Sequence, residues 1–222
     1  MIEITSLTQS FGSKTVLNNI SLKIDRNEVC ALVGRNGVGK STFIGCLLGL
    51  LPSKTGTIKI NGKERSKKTT WKNEIAYLPE KFMLYPSLTG YETMVFFAKA
   101  SKGLVDEMRI KEILTSVRLW EDKDSHVKGY SKGMLQRLGL AVTLYQDSDI
   151  IILDEPTSGI DPIGRREILE ILRDLKGKTI LLSSHHLDEI RQLCTHVAYL
   201  EDGILTKYPV GEFVKLQHLG GI

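Results

Sequence analysis

Two kinds of hydrophobic spacing alternate along this chain. Ile20, Leu22 and Ile24 are separated by Ser21 and Lys23, and Ile58 and Ile60 flank Lys59. This period of two predicts half-buried strands of an antiparallel sheet within the first sixty residues. Val29 to Val33 breaks that pattern with an unbroken apolar run that ends at Gly34. A strand covered on both faces has this form. Ile150 to Leu153 and Thr179 to Leu182 repeat it, and Val197 to Leu200 does so less cleanly. Helical spacing separates these runs, which predicts a parallel sheet with helices on both sides.

No strand pattern is visible between about Leu84 and Asp147. Thr89 and Glu92 form a capping-box pair opening a helix through Phe97. Val105, Met108, Ile113 and Val117 fall roughly on one helical face, and Ser131 opens a further apolar-rich helix. The expected fold is α/β, with residues 1–83 and 148–222 forming a core of mainly parallel sheet plus an N-terminal antiparallel β subdomain. Residues 84–147 form an inserted α-helical subdomain.

Composition narrows the class without naming it. With 222 residues there is room for one sizeable domain. The apolar share of 41% and charged share of 25% are those of a globular chain, and a net charge of +4 is too mild for a protein that coats nucleic acid. Cys30, Cys46 and Cys194 stand far apart in apolar surroundings, which suggests buried reduced thiols in a cytoplasmic protein rather than a metal site. Met1-Ile2-Glu3-Ile4 has no basic segment followed by an apolar one, so it does not read as a signal peptide, and no apolar run could span a bilayer. Arg65-Ser-Lys-Lys with Lys72 reads as a solvated basic loop in preference to a contact site.

The chemistry begins at Gly34-Arg35-Asn36-Gly37-Val38-Gly39-Lys40-Ser41, a glycine-rich loop between a predicted buried strand and a helix. That context makes it a phosphate-binding loop. Glycines let backbone N–H groups converge on a phosphate, and the following helix adds the positive end of its dipole. Lys40 can reach the β- and γ-phosphate oxygens, and the Ser41 hydroxyl can hold Mg²⁺. Asp154 ends the Ile150–Leu153 run, where ligands of open α/β sheets collect. It is the expected outer ligand of Mg²⁺, through water. Glu155 follows as the candidate general base, the bland alternative being a surface carboxylate.

With those residues in place, the chain resembles an ATP-binding cassette ATPase over nearly its whole length. The resemblance implies ATP and Mg²⁺ as ligands, with Thr42 and Val16 at the nucleotide beside the loop. Phe11 stands where the family stacks an aromatic on adenine; a core phenylalanine is the alternative. Ser131-Lys132-Gly133 resembles the signature turn, whose Ser131 and Gly133 would close on nucleotide held by a second cassette. Asp161, in Ser158-Gly-Ile-Asp161, matches the loop coupling the two sites, and with Pro162 it is also a natural helix cap. His185 matches the histidine that contacts the γ-phosphate, with capping of the next helix as the alternative; its neighbour His186 is expected to face solvent.

Three positions depart from the commonest family pattern. Glu80 stands where a glutamine is usual, between the metal and the helical lobe, and Lys132 and Met134 replace a glycine and a glutamine. All three resemble the branch that serves exporters of the two-gene kind. The implied protein is an ATPase subunit, peripheral on the cytoplasmic face of a membrane, working with a second cassette and a separate membrane subunit. The alternative is a soluble cassette acting in translation or DNA repair. A non-catalytic nucleotide sensor would have lost Glu155 or His185, and both are present.

Overall fold

The computed structural model describes residues 1–65, 71–103 and 105–218, leaving aside the side chains of residues 72, 102 and 218. Two sheets share one interior. The antiparallel sheet has the order β2-β1-β4-β5, built from β1 (Ile2–Phe11), β2 (Lys14–Ile24), β4 (Thr55–Ile60) and β5 (Lys63–Glu64). Its long central strand β1, with Ile2, Ile4 and Leu7 inward, is an alternating element that the sequence reading left unnamed. Ser6 takes a left-handed conformation where the β1–β2 register shifts, and Gly56 passes so close to Leu7 that a Cβ there would meet backbone at 2.6 Å.

The larger sheet has six strands in the order β10-β9-β3-β8-β7-β6. Its members are β3 (Val29–Val33), β6 (Ile75–Leu78), β7 (Ile150–Leu153), β8 (Thr179–Ser183), β9 (His196–Glu201) and β10 (Ile204–Pro209). The pairs from β9 through β6 are parallel, and β10 adds an antiparallel edge. The α/β fold is as expected, with β6 and β10 added. Strand β6 is only four residues long and stops at Pro79, so its pattern is too short to read alone.

Alternation sorts the buried strands between two cores. Ile150 and Ile152 of β7 join the core shared with the antiparallel sheet, while Ile151 and Leu153 face the helices. Cys30 and Leu32 against Ala31 divide β3 the same way. The helices are α1 (Lys40–Leu47), α2 (Gly90–Lys102), α3 (Glu107–Ser116), α4 (Lys132–Tyr145), α5 (Pro162–Asp174), α6 (Leu187–Leu193) and α7 (Val210–His218).

The caps behave as physical chemistry demands. Thr89 N–H donates to Glu92 Oε2 at 2.8 Å, and Glu92 N–H to Thr89 Oγ1 at 3.1 Å. Helix α2 then runs beyond Phe97 to Lys102 and stops at Gly103, which adopts φ 72°. The expected face of α3 needs correction. Met108 is exposed and Val105 precedes the helix, whereas Ile110, Leu114 and Val117 are fully buried. Those three keep the helical spacing that the earlier set does not.

Arg65 also departs from the solvated-loop expectation. Its guanidinium donates to the carbonyl oxygens of Cys46 and Leu47 at the end of α1 and lies over Trp71 at 5.7 Å. Long cations suit that place, because the last carbonyls of a helix carry its negative end. Ser66, Lys67 and Lys68 of that basic segment lie outside the described residues, as does the Lys72 side chain. All three cysteines are buried, and burial pushes the Cys30 thiol up to about 12. Among the described residues no helix is long and apolar enough to cross a membrane.

Phe43 is fully buried on α1, directly behind the phosphate loop. Phe43→Ala is expected to cost about 3–5 kcal/mol, as large-to-small core changes do. Chemical denaturation should show the midpoint fall at unchanged slope.

Candidate active site

The register of the sheet decides what meets at its edge. Leu78 of β6, Leu153 of β7 and Leu182 of β8 pair in one row, and Ser183 pairs with Leu32 of β3 in the next. Chain leaving these four strands therefore enters one cleft, at the carboxyl edge where open α/β sheets bind ligands. The cleft has a volume of about 520 Å³.

One wall is the glycine-rich loop. Gly39 caps α1 in a left-handed conformation at φ 118°, and a Cβ there would come within 2.7 Å of Val16. Only glycine permits that turn. The amides of residues 39–42 head the helix without intrahelical acceptors and no side chain caps them. Lys40 Nζ donates to the carbonyl of Gly34 at 2.7 Å and to that of Arg35 at 3.4 Å. Asn36, Gly37, Ser41 and Thr42 share this wall. Gly34, Arg35 and Val38 do not line the cleft. A Cβ on Gly34 would collide with the Leu200 carbonyl, so the start of the loop runs against β9.

The facing wall carries carboxylates. Asp154 Oδ1 accepts from Ser183 Oγ at 2.6 Å, and Glu80 lies on the same cleft. Tyr77 senses this charge: burial first, then the nearby Asp154 and Glu80 carboxylates, push its phenol up to about 12. Glu155 is a non-glycine residue at φ 47°, a conformation that costs roughly 1–3 kcal/mol unless its surroundings impose it. Its side chain is only 14% exposed, and Oε2 accepts from His185 Nδ1 at 3.0 Å. A carboxylate has no proton to give, so this contact selects the Nδ1–H form of the neutral ring and leaves Nε2 as an acceptor.

His185 therefore pairs with Glu155 and does not cap α6; His186 occupies the cap position, without a side-chain cap bond. His186 is also only partly exposed, its ring 4.0 Å from that of His185, which corrects the solvent-facing expectation. Phe11 is 49% exposed on the cleft rim beside Val16, which rules out core packing. Lys14 also lines the cleft with no signal in the sequence, and so does Ser158, which the sequence placed only in the loop coupling two sites.

The structure does not bring the Ser131 turn into this cleft. Ser131 caps α4, accepting from Met134 N–H at 3.2 Å, and Gly133 packs towards Gly164 and Ile160 of the α5 entry. Asp161 likewise caps α5 ahead of Pro162, accepting from Gly164 N–H at 3.3 Å. Lys132 is exposed with its ammonium against Gly159, and among the described residues it has no carboxylate partner.

The cleft's chemistry fits a nucleotide with a divalent cation. Unpaired helix amides and Lys40 would suit phosphate charge, and the Ser41 hydroxyl and Asp154 carboxylate are hard oxygen donors suited to Mg²⁺. This arrangement on a phosphate-loop fold defines a nucleoside-triphosphatase. A family model described as ABC transporter matches residues 17–158. The chain is 38% identical to the lantibiotic transport ATP-binding protein SrtF of Streptococcus pyogenes over 205 residues, covering 91% of this chain and 88% of that one. It is 35% identical to the bacitracin transport ATP-binding protein BcrA of Enterococcus faecalis, covering 93% and 68%. A solved structure of the ATP-binding subunit of an ABC transporter superposes with TM-score 0.84 at 31% identity, covering 100% of this chain and 94% of that chain. The chain belongs to the ABC transporter family, as one of its ATP-hydrolysing, ATP-binding subunits.

Two substitutions check the cleft. Lys40→Ala should abolish binding of a fluorescent ATP analogue at millimolar nucleotide, measured by anisotropy. Phe11→Ala should weaken it by about 1–3 kcal/mol, the worth of stacking on a base, with turnover at saturation preserved.

Proposed function

We propose that this chain hydrolyses Mg·ATP at a site it only half supplies. The observation that carries this reading is the separation just described: Lys40, Ser41, Asp154, Glu155 and His185 share one open cleft, while the Ser131–Gly133 turn is capped outside it. A second cassette, another copy or a related chain, would present its own Ser131-type turn and Asp161 loop across the opening. Head-to-tail pairing then makes two equivalent sites.

In the assembled site the glycine-loop amides and Lys40 hold the β- and γ-phosphates, and Phe11 and Val16 take the base end. Ser41 and Asp154 would hold Mg²⁺, with Glu80 reaching it through water. The ion would draw charge from the phosphate oxygens. Glu155 accepts the proton of the attacking water as general base, and the Nδ1–H of His185 holds the Glu155 carboxylate in place. In that tautomer His185 Nε2 is left to accept a hydrogen bond from water, and it would donate to a γ-phosphate oxygen only as the doubly protonated ring.

Transport couples to this cycle through the helices of residues 84–147, which we read as a lobe that moves relative to the sheet. Glu80 begins the path. Beyond it Met83, Tyr85 and Phe96 are exposed, with Tyr85 and Phe96 edge-to-face at 5.0 Å. Exposed aromatics grouped in this way suit a partner surface, here that of a separate membrane subunit. The protein then works peripherally on the cytoplasmic face of the membrane. Glu80, Lys132 and Met134 favour export, and relatives named for lantibiotic and bacitracin transport agree with a transport role. A soluble cassette of translation or DNA repair is not favoured by those relatives.

Glu155→Gln tests the assignment. Turnover should fall by about 100-fold or more, the lower range for loss of a positioned base. ATP should still bind and now hold a dimer detectable by sedimentation. Undiminished turnover, or a variant that stays monomeric with ATP bound, would sink the assignment.

A further inference from the structure

Ser183 is the last residue of β8 and is fully buried, yet its hydroxyl serves two residues on the neighbouring strand end. The backbone N–H of Glu155 donates to Ser183 Oγ at 2.7 Å. The Ser183 hydroxyl in turn donates to Asp154 Oδ1 at 2.6 Å. A serine has one proton to give, and with the oxygen already accepting from Glu155 that proton is directed at the aspartate. The parallel β7–β8 register sets this meeting, because Leu153 pairs with Leu182 and the next residue on each strand is Asp154 and Ser183.

We propose that Ser183 is a positioning residue for the reaction, holding the metal-facing carboxylate of Asp154 and the left-handed backbone of Glu155 as one rigid unit. The inference rests on the Mg·ATP reading of the cleft. Two observations support it. Among the described residues Asp154 Oδ2 has no protein hydrogen bond, so tethering Oδ1 leaves that oxygen available on a residue that lines the cleft. Glu155 at φ 47° also needs an external hold, and its amide bond to Ser183 supplies one.

The neighbouring serine marks the contrast. Ser184 Oγ donates to Glu189 Oε2 at 2.9 Å and accepts from His186 N–H at 3.1 Å. Thr157 donates to the same buried Glu189 carboxylate at 2.8 Å. Ser184 thus fastens the two loops from beneath; of the two serines, Ser183 is the one whose hydroxyl meets a carboxylate of the cleft, that of Asp154.

The test uses the whole protein in the Glu155→Gln background, loaded with ATP, with Mn²⁺ as a probe read by electron paramagnetic resonance. Ser183→Ala should hold Mn²⁺ about 10-fold more weakly or worse, the loss typical when a ligand's hydrogen-bonding support is removed. Ser183→Thr keeps the hydroxyl and should restore retention. With Glu155 intact, Ser183→Ala should lower kcat by about 10–100-fold while KM for ATP stays within about two-fold. Equal Mn²⁺ retention in the alanine and parent proteins overturns the proposal, as does a kcat loss explained wholly by a lower melting temperature. If the Ser183 parent itself holds no Mn²⁺ with ATP, the Mg·ATP reading fails and this inference with it.

Discussion

The parallel register of four strands is the constraint on which everything else here depends. Because β6, β7, β8 and β3 pair in step, their carboxyl ends finish together, and the chain leaving each one contributes to the same cleft. Slipping one strand by a single residue would turn its inward set outward and move its contribution to the wrong face. Burial on both faces prevents that slip. Alternate residues of β3 and β7 belong to separate cores, so register and packing enforce each other. Phe43 extends the lock to the phosphate loop by seating α1 in the core beneath it.

On that rigid edge the structure can hold what an isolated peptide would not. Glu155 in a left-handed conformation is one instance. Its backbone is held by Ser183 and its side chain by His185, which fixes the carboxylate from two directions. The Ser131 turn follows a different rule. Its side chain caps α4 in this chain, so the backbone of the turn is already shaped before any partner arrives. On the proposed reading, a site divided between two chains would therefore close without folding anything new.

The features legible in the sequence were those with local causes. Aliphatic runs ending at Gly34 and Asp154 announced strands buried on both faces, and the Thr89–Glu92 box was realised bond for bond. The phosphate loop was readable because its glycines answer a backbone demand. What was not legible depended on distant partners. Strand β6 is four residues whose identity comes from pairing with β7, and Arg65 is placed by carbonyls of a helix eighteen residues earlier. Ile110 and Leu114 were missed because Met108 and Val105 offered a competing, looser face. Ser183 gave no signal at all, since a serine at a strand end means nothing until the adjacent strand places Asp154 opposite it.

The central claim is that one chain carries only half of each site, and complementation between two inactive variants tests it most directly. A Lys40→Ala chain keeps its Ser131 turn but loses its phosphate loop, and a Ser131→Arg chain has the reverse defect. Each should be nearly inactive alone, and mixing them should restore ATP hydrolysis, because every mixed pair contains one intact site. A Ser131→Arg chain that hydrolyses ATP at the parental rate while sedimenting as a monomer would contradict the account.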